Sequence, residues 1–388
     1  MKKDLLTSRE RIRIAMNHQE PDRVPIEMGG GITSCYFRLY ERLSERFGIE
    51  SWKQWASNWA AFKFDDRLLE RMHVDSRHLY FATGGAKQWT PQKIYSDGSF
   101  EDFWGIRYIA KDGCYSNMIQ NPLSEAETVG DIEKYFKELP DPKVVGESGA
   151  EYLDEDAKYL FEETTYAIKG EPMWSFFEFC QWLRGMENFL VDLCINEDMA
   201  DALMSSLFDY QTKMYEAYFA KTGKYLDWVW TSDDFGAQEQ LLVSETMWRE
   251  KIKPWVKKRA DYIKERTDAK LFHHSCGSIY NILPDMIECG YEGINPLQPF
   301  AKNMEPERLK KDFGGKLFFM GGMDHQFVLQ KEPEEALDFC KRLINAYAPG
   351  GGYIFAPTHV IPDSVNIDSL IAVYDFVYEE CYYPINIK

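Results

Sequence analysis

The second half of the chain alternates short apolar runs with amphipathic stretches, and this alternation limits the fold more than any other feature. Each apolar run ends in a polar or glycine-rich loop. Strands that alternate with helices form a parallel sheet, in either a doubly wound or a barrel fold. No glycine-rich nucleotide-binding motif follows a strand, which weakens the doubly wound interpretation. The predicted strands are 225–231, 270–274, 293–297, 316–320 and 352–357.

The first part of the chain contains a predicted helix and one further strand. Thr7 and Glu10 form a capping-box pattern at the start of the helix, and residues 23–28 resemble a strand that runs into the glycines 29–31. Glycine after a strand is typical of a backbone that must approach another group closely.

Residues 35–130 differ from the regular pattern and are rich in aromatic residues. Turn signals at Gly84-Gly85 and Asp97-Gly98 predict short strands and hairpins there. We therefore predict an α/β fold, a (β/α)8 TIM barrel with N-terminal helical and hairpin additions. It forms a single domain over residues 1–388, with an insertion around 35–130.

Composition limits the partners and the compartment. The net charge of −18 argues against nucleic acid, which needs a basic surface, and fits either a solvated acidic surface or docking to a basic partner. No apolar run reaches the roughly 20 residues of a membrane span, so no membrane partner is expected. The charged N-terminus does not resemble a signal peptide, and the 8 cysteines are scattered, so a reducing, cytoplasmic location is expected.

The pair His274-x-Cys276 is the strongest candidate for chemistry. It lies where a predicted apolar strand ends, and residues two apart on an extended segment point to the same side. Imidazole and thiolate both bind zinc, and His359, in another strand-end loop, is a candidate third ligand. Alternatively, His273 and His274 are hydrogen-bonded core groups and Cys276 is inert. Further oxygen donors in equivalent loops are Asp233, Asp234, Glu239 and Asp324.

Aromatic residues are dense between Trp174 and Trp182, and Phe177 lies among them. Aromatic walls suit an apolar or aromatic ligand, although the same residues can form an ordinary packing layer between strand and helix. Of the adjacent acids Asp233 and Asp234, we expect at most one to face the site.

At these positions the chain resembles the uroporphyrinogen decarboxylase superfamily and, within it, the corrinoid-protein methyltransferases. The resemblance covers nearly the whole chain, and the motifs are specific in combination. They are Ser8-Arg9-Glu10-Arg11, Glu20-Pro21-Asp22-Arg23-Val24-Pro25, Ser232-Asp233-Asp234-Phe235-Gly236, His273-His274-Ser275-Cys276-Gly277, Asn295-Pro296-Leu297-Gln298-Pro299, Gly321-Gly322-Met323-Asp324 and Gly350-Gly351-Gly352-Tyr353-Ile354-Phe355-Ala356-Pro357.

The resemblance implies a (β/α)8 barrel and separates two activities. The decarboxylases hold substrate carboxylates with an arginine-rich N-terminal segment, whereas this chain has Glu27-Met28-Gly29-Gly30-Gly31 there. The methyltransferases bind zinc through H-x-C and a later cysteine. His274 and Cys276 match the first two ligands, but His359 stands near the position of the third. There it either replaces the cysteine, which gives a harder ligand set, or contacts the substrate.

The resemblance therefore implies transfer of a methyl group from a small methylated substrate to the cobalt(I) of a corrinoid (cobalamin) protein, with Zn²⁺ as cofactor. A methoxylated aromatic is the preferred donor because of the aromatic cluster; methylamines, methanol and methylthiols stay open, as does a homodimer. A decarboxylase and a non-catalytic tetrapyrrole-binding protein are the alternatives. The expected catalytic residues are Asp234 and Glu239, the expected ligands His274, Cys276 and His359, and the expected substrate contacts Trp174, Phe177, Trp182, His273, Asn295 and Asp324.

Overall fold

The structure is a computed structural model that describes residues 4–50, 60–61, 63–81, 93–111 and 115–387. The described helices are α1 (Ser8–Met16), α2 (Gly30–Thr33), α3 (Phe37–Phe47), α4 (Asp66–Arg71), α5 (Val129–Glu138), α6 (Pro142–Gly149), α7 (Leu153–Glu163), α8 (Phe177–Arg184), α9 (Met186–Ile195), α10 (Glu197–Thr222), α11 (Glu245–Met247), α12 (Lys253–Lys264), α13 (Leu283–Glu288), α14 (Pro306–Phe313), α15 (Pro333–Tyr347) and α16 (Ile367–Glu380). The described strands are β1 (Cys35–Tyr36), β2 (Ala60–Ala61), β3 (Ser76–Tyr80), β4 (Lys93–Ile94), β5 (Phe100–Glu101), β6 (Arg107–Lys111), β7 (Tyr115–Gln120), β8 (Ala167–Ser175), β9 (Trp228–Ser232), β10 (Lys270–His274), β11 (Gly293–Asn295), β12 (Phe318–Met323) and β13 (Tyr353–Pro357).

Seven parallel strands form the main sheet in the order β13-β12-β11-β10-β9-β8-β3. The segment around Ile26 connects its two edges. The amide of Glu27 donates to the Phe355 carbonyl at 2.8 Å, and the amide of Asp75, beside β3, donates to the Ile26 carbonyl at 2.8 Å. The predicted α/β barrel is confirmed, and the predicted first strand is the segment that joins the sheet edges.

The interior of the barrel is filled with large apolar side chains. Phe272 on β10 packs with Trp228 of β9 and Phe318 of β12, at ring-centroid distances of 5.3 and 6.0 Å. Leu271, the neighbour of Phe272, belongs instead to the cluster between strands and helices. This alternation along β10 decides the direction of the residues that follow, because successive strand residues face opposite sides.

A small antiparallel sheet stands apart from the barrel sheet, with the order β4-β5-β6-β7. Gly98, with φ +81°, lies in the turn between β4 and β5, as the Asp97-Gly98 signal indicates. The ring centroids of Trp104, in the β5–β6 connection, and Phe179 of α8 are 4.8 Å apart, so this sheet packs against α8. The Gly84-Gly85 signal lies outside the described residues.

Local capping follows the sequence signals. Thr7 and Glu10 make the predicted capping box at the start of α1. Ser244 accepts the Met247 amide at the start of α11, and a π-helical turn over Trp248–Ile252 precedes Pro254 in the first turn of α12. Across the described ranges, no helix combines the length and apolar character that a membrane crossing requires.

Candidate metal centre

The end of β10 directs His274 and Cys276 into the barrel. Because Phe272 faces the interior, His274 two residues later does so as well. Gly277 follows with φ +77°, and a Cβ at this position would lie 2.5 Å from the Ala237 carbonyl oxygen, so only glycine allows this close approach of two loops. The Cys276 amide donates to Asp234 Oδ1 at 2.8 Å, and the Gly277 amide donates to Gln298 Oε1 at 2.7 Å.

His274, Cys276 and His359 come together at the carboxyl ends of β10 and β13. One potential ligand atom from each lies within 4.8 Å of the others. His274 Nε2 is 3.6 Å from Cys276 Sγ, and the rings of His274 and His359 are 5.2 Å apart. Tetrahedral zinc with bonds of about 2.3 Å to sulfur and about 2.0 Å to nitrogen sets an N···S separation of roughly 3.5 Å, close to the distance here. The donor set therefore fits a zinc ion with three protein ligands and a fourth position for a small molecule.

Asn295, at the end of β11, orients the His274 ring. His274 Nδ1 donates to Asn295 Oδ1 at 2.5 Å, and Asn295 Nδ2 donates to the Met320 carbonyl at 3.0 Å. The second bond fixes which way the amide points, so its oxygen faces the imidazole. The proton is thereby held on Nδ1, and Nε2 is left with a free lone pair directed toward Cys276, as metal-binding histidines require.

The groups around the cluster favour a bound cation. Burial raises the pKa of the Cys276 thiol, and the nearby Asp234 and Glu178 carboxylates raise it further. Burial, followed by Asp234 and Asp233, raises the pKa of Glu178 to about 8. Asp234 Oδ1 lies 3.8 Å from His274 Nε2. A divalent ion would offset this concentration of acidic groups and would stabilise the thiolate.

His359 is held neutral. Burial first, then the neighbouring His274 and His325, lower its pKa to about 3. A neutral imidazole is the form that binds a metal. His325 Nδ1 lies 2.8 Å from the Thr358 hydroxyl, so the residue before His359 is anchored as well.

His273, Trp174 and Phe177 were expected to contact substrate, but the structure places them between strands and helices. His273 stacks on Phe235 at 5.2 Å, and its Nδ1 lies 2.9 Å from the Thr231 hydroxyl. Trp174 Nε1 donates to Gln211 Oε1 of α10 at 2.7 Å. Phe177 packs against Phe235 as well, at 5.7 Å. These side chains face away from His274 because strand residues alternate and because α8 turns out of the barrel.

Trp182, Glu239 and Asp324 also differ from the expected site. Trp182 packs half-buried on Phe179 at 5.3 Å. The Glu239 side chain is 80 % exposed and pairs with Lys302 at 3.8 Å, so it belongs to the surface. Asp324 Oδ1 accepts the amides of Phe327 and Val328, which makes it a turn cap rather than a free ligand. Of the two expected acids, only Asp234 lies beside the cluster.

Glu178 and Trp230 lie beside the cluster although sequence reasoning did not select them. Ser175 Oγ, at the end of β8, donates at 2.9 Å to Oε2 of Glu178 in the first turn of α8. The Trp230 ring meets the His274 ring edge-on at 6.4 Å, and its Nε1 donates to buried Glu171. A signal existed in both cases. Glu178 follows a strand end by three residues, and Trp230 shares the strand face of buried Trp228.

The fold is an α/β barrel, and its candidate site brings two imidazoles and one thiol, groups that bind zinc, together at the carboxyl ends of the strands. Residues 174–380, more than half of the chain, match the family model described as uroporphyrinogen decarboxylase (URO-D). The chain belongs to this family, and the resemblance read from the sequence motifs is confirmed at that level.

Two solved structures resemble the chain over most of its length. A methyltransferase from Methanosarcina mazei is 17% identical, with a TM-score of 0.63, and the match covers 96% of this chain and 99% of that one. A B12-independent methionine synthase from Shewanella sp. W3-18-1, in complex with selenomethionine, is 12% identical, with a TM-score of 0.46 and coverage of 92% and 98%. At 17% identity, the likeness to the Methanosarcina mazei protein shows a shared fold and nothing more specific. Among curated proteins, none matches the chain.

Proposed function

We propose that the chain is a zinc-dependent methyltransferase that moves a methyl group from a small methylated donor to the cobalt(I) of a corrinoid protein. The cluster of His274, Cys276 and His359 carries the proposal, because its spacing fits three-ligand zinc. Membership of the family supports it, as does the structural likeness to a protein described as a methyltransferase.

His274, Cys276 and His359 would hold the zinc. Bound there, zinc supplies a Lewis acid that draws electron density from the heteroatom carrying the methyl group. Asn295 keeps the His274 lone pair directed inward, and Asp234 holds the Cys276 backbone through its amide. Trp230 closes one side of the cluster and excludes water there, since its side chain is almost completely buried.

An O-methylated donor remains our preference, with a methoxylated aromatic as the first compound to test. The aromatic cluster from Trp174 to Trp182 no longer supports this choice of donor, because Trp174 and Trp182 pack against helices. The ligand set gives the better reason. Two imidazoles with one thiolate form a harder centre than one imidazole with two thiolates, and such a centre favours oxygen over sulfur.

The family description favours the decarboxylase alternative, but the charge of the side chains around Gly30 and Gly31 opposes it. Where decarboxylases carry arginines, the Gly30–Gly31 backbone lies against Glu171, and the Gly31 amide donates to its carboxylate at 3.1 Å. Two buried carboxylates, Glu27 and Glu171, share Lys169 there, so the charge is net negative and unfavourable for a substrate with many carboxylates. Incubation with uroporphyrinogen tests this alternative directly.

The decisive experiment combines elemental analysis with a donor screen. Purified protein should contain about one zinc per chain, and a methoxylated aromatic, methanol, methylamine or methanethiol should methylate chemically reduced cobalamin, as seen from its absorption spectrum. Cys276→Ser should lose both zinc and turnover, whereas Cys289→Ser, a buried cysteine on the outer side of the barrel, should keep both. Protein without zinc, together with no methylation from any donor, would contradict the proposal.

A further inference from the structure

We infer that Asp233, paired with Arg259, is a positioning residue that holds the ends of β8, β9 and β10 in register beside the metal centre. The inference rests on the proposed function in so far as it presumes a metal at His274 and Cys276. Asp233 precedes Asp234 in the chain, but the two side chains point in opposite directions. Asp234 turns toward Cys276, whereas Asp233 turns away from the cluster and is completely buried.

Asp233 connects the ends of three neighbouring strands. Its Oδ1 accepts the amide of Phe176 at 2.7 Å and the amide of Glu178 at 3.0 Å, at the start of α8 directly after β8. Its own amide donates to the carbonyl of His274 at 3.0 Å, at the end of β10. One residue at the end of β9 thus ties the segment that carries Glu178 to the segment that carries His274.

Arg259 completes this connection from α12. Its Nη1 lies 2.7 Å from Asp233 Oδ2, and neither side chain is exposed. The same guanidinium donates to the carbonyls of Trp174 at 3.1 Å and Ser232 at 3.4 Å. The helix layer and the ends of β8 and β9 are therefore fixed relative to each other by one ion pair.

The position of this pair indicates a role in geometry rather than in bulk stability. A buried ion pair pays a large desolvation cost, and replacing both partners with apolar groups is often neutral or stabilising. Several backbone groups of the loops around the centre accept from or donate to this pair. Partners behind the ligands of a metal typically change its affinity by about 10–100-fold when they are removed.

Asp227 provides a matched control near the opposite end of the same strand. Its side chain is equally buried, it pairs with Arg13 at 2.5 Å, and it accepts the amide of Ile168 at 2.7 Å. It lies just before β9 rather than after it, on the side away from the metal centre. Loss of either aspartate should destabilise the fold, but only loss of Asp233 should disturb the centre.

The test is a Co²⁺ titration of apo protein, followed by absorption of the cobalt–thiolate and d–d bands and by chemical unfolding. Asp233→Asn should weaken Co²⁺ binding by about 10–100-fold and shift the bands. Asp227→Asn should lose stability while its Co²⁺ affinity and spectrum stay those of the unchanged protein. Asp233→Asn with Arg259→Met should regain stability, because no unpaired charge stays buried, but should not regain Co²⁺ affinity.

The outcomes separate this inference from the proposed function. If the unchanged protein binds no Co²⁺ or Zn²⁺, the metal centre itself is wrong. If it binds metal, and Asp233→Asn matches Asp227→Asn in affinity and spectrum, the positioning role is wrong. Should the single Asp233 variant fail to fold, the double variant decides, since unchanged affinity and bands in that protein also contradict the role.

Discussion

The two faces of β10 carry adjacent histidines with different consequences. His274 faces the barrel interior, next to Cys276 and His359, and its Nδ1 is held by Asn295. His273 faces the helices, stacks on Phe235 and contacts Thr231. Both are buried and both have polar partners, so neither burial nor hydrogen bonding distinguishes them. The two histidines differ in what their side chains can reach. Inward side chains at the ends of several strands meet one another in a small space, whereas each outward side chain meets only the helix that covers it.

The largest effect is expected on zinc affinity when each of the two histidines of β10 is replaced in turn. His274→Ala should weaken zinc binding by more than the roughly 10–100-fold typical of losing an outer partner, because a ligand itself is removed. His273→Ala should leave zinc affinity unchanged and instead lose about 3 kcal/mol of unfolding free energy, through the cavity in the packed layer. Competition with a chromophoric chelator and chemical unfolding measure the two quantities. An equal loss of zinc affinity in both variants would contradict the claim that only the inward-facing histidine of β10 binds the metal.

A second prediction concerns charge deep in the barrel. Burial raises the pKa of Glu27, but Lys169 and His78 lower it more, to about 2 from an ordinary value of 4.5. A depressed carboxyl pKa stabilises the fold at pH values above 4.5, and that contribution disappears as the pH falls toward 2. Glu27→Gln should therefore lose about 3 kcal/mol at pH 7, and the difference from the unchanged protein should shrink between about pH 4.5 and 2.

Glu216 is the outward-facing control for Glu27. It is largely exposed on α10 and pairs with Arg266 at 3.0 Å, so Glu216→Gln should change stability by at most about 1 kcal/mol. Urea unfolding at several pH values gives both curves. A pH-independent loss in Glu27→Gln would show that its charge does not stabilise the interior.

The third prediction tests how His274 is oriented. Asn295→Ala removes the acceptor that holds the Nδ1 proton, so zinc affinity should fall by about 10–100-fold while the fold persists. Asn295→Asp keeps an acceptor oxygen at the same place and should recover most of the affinity. If both variants bind zinc equally weakly, the loss comes from repacking rather than from ring orientation.

The smallest effect is expected at Trp174, on the outer face. Trp174→Phe leaves Gln211 Oε1 without its indole donor and should cost about 1–2 kcal/mol of unfolding free energy. The KM for the methyl donor should not change, because the ring lies outside the barrel. Trp230→Phe is the inward counterpart and should raise that KM. A raised KM for the methyl donor in Trp174→Phe would show that Trp174 contacts the donor after all.

Much of the fold could be predicted from sequence because the alternation of strands and helices is local. The strand 270–274 has the predicted bounds, and the segment 23–28 takes part in barrel pairing at Ile26. Strand ends shifted elsewhere: β12 runs on to Met323, through two glycines that permit close approach to neighbouring backbone. The site was partly predictable too, since strand-end loops of a barrel meet at one face.

The sequence by itself determined the element order, the barrel class and the candidate ligand types, because periodicity and residue chemistry are properties of short segments. Only the tertiary structure decided which polar side chains meet. It brought His359 to His274, 85 residues earlier in the chain, and sent Asp233 and Asp234 to opposite sides. It also placed Glu178 at the cluster while leaving Glu239 in solvent. Those outcomes depend on strand pairing and on the direction in which each loop leaves its strand, which residues far apart in the chain decide together.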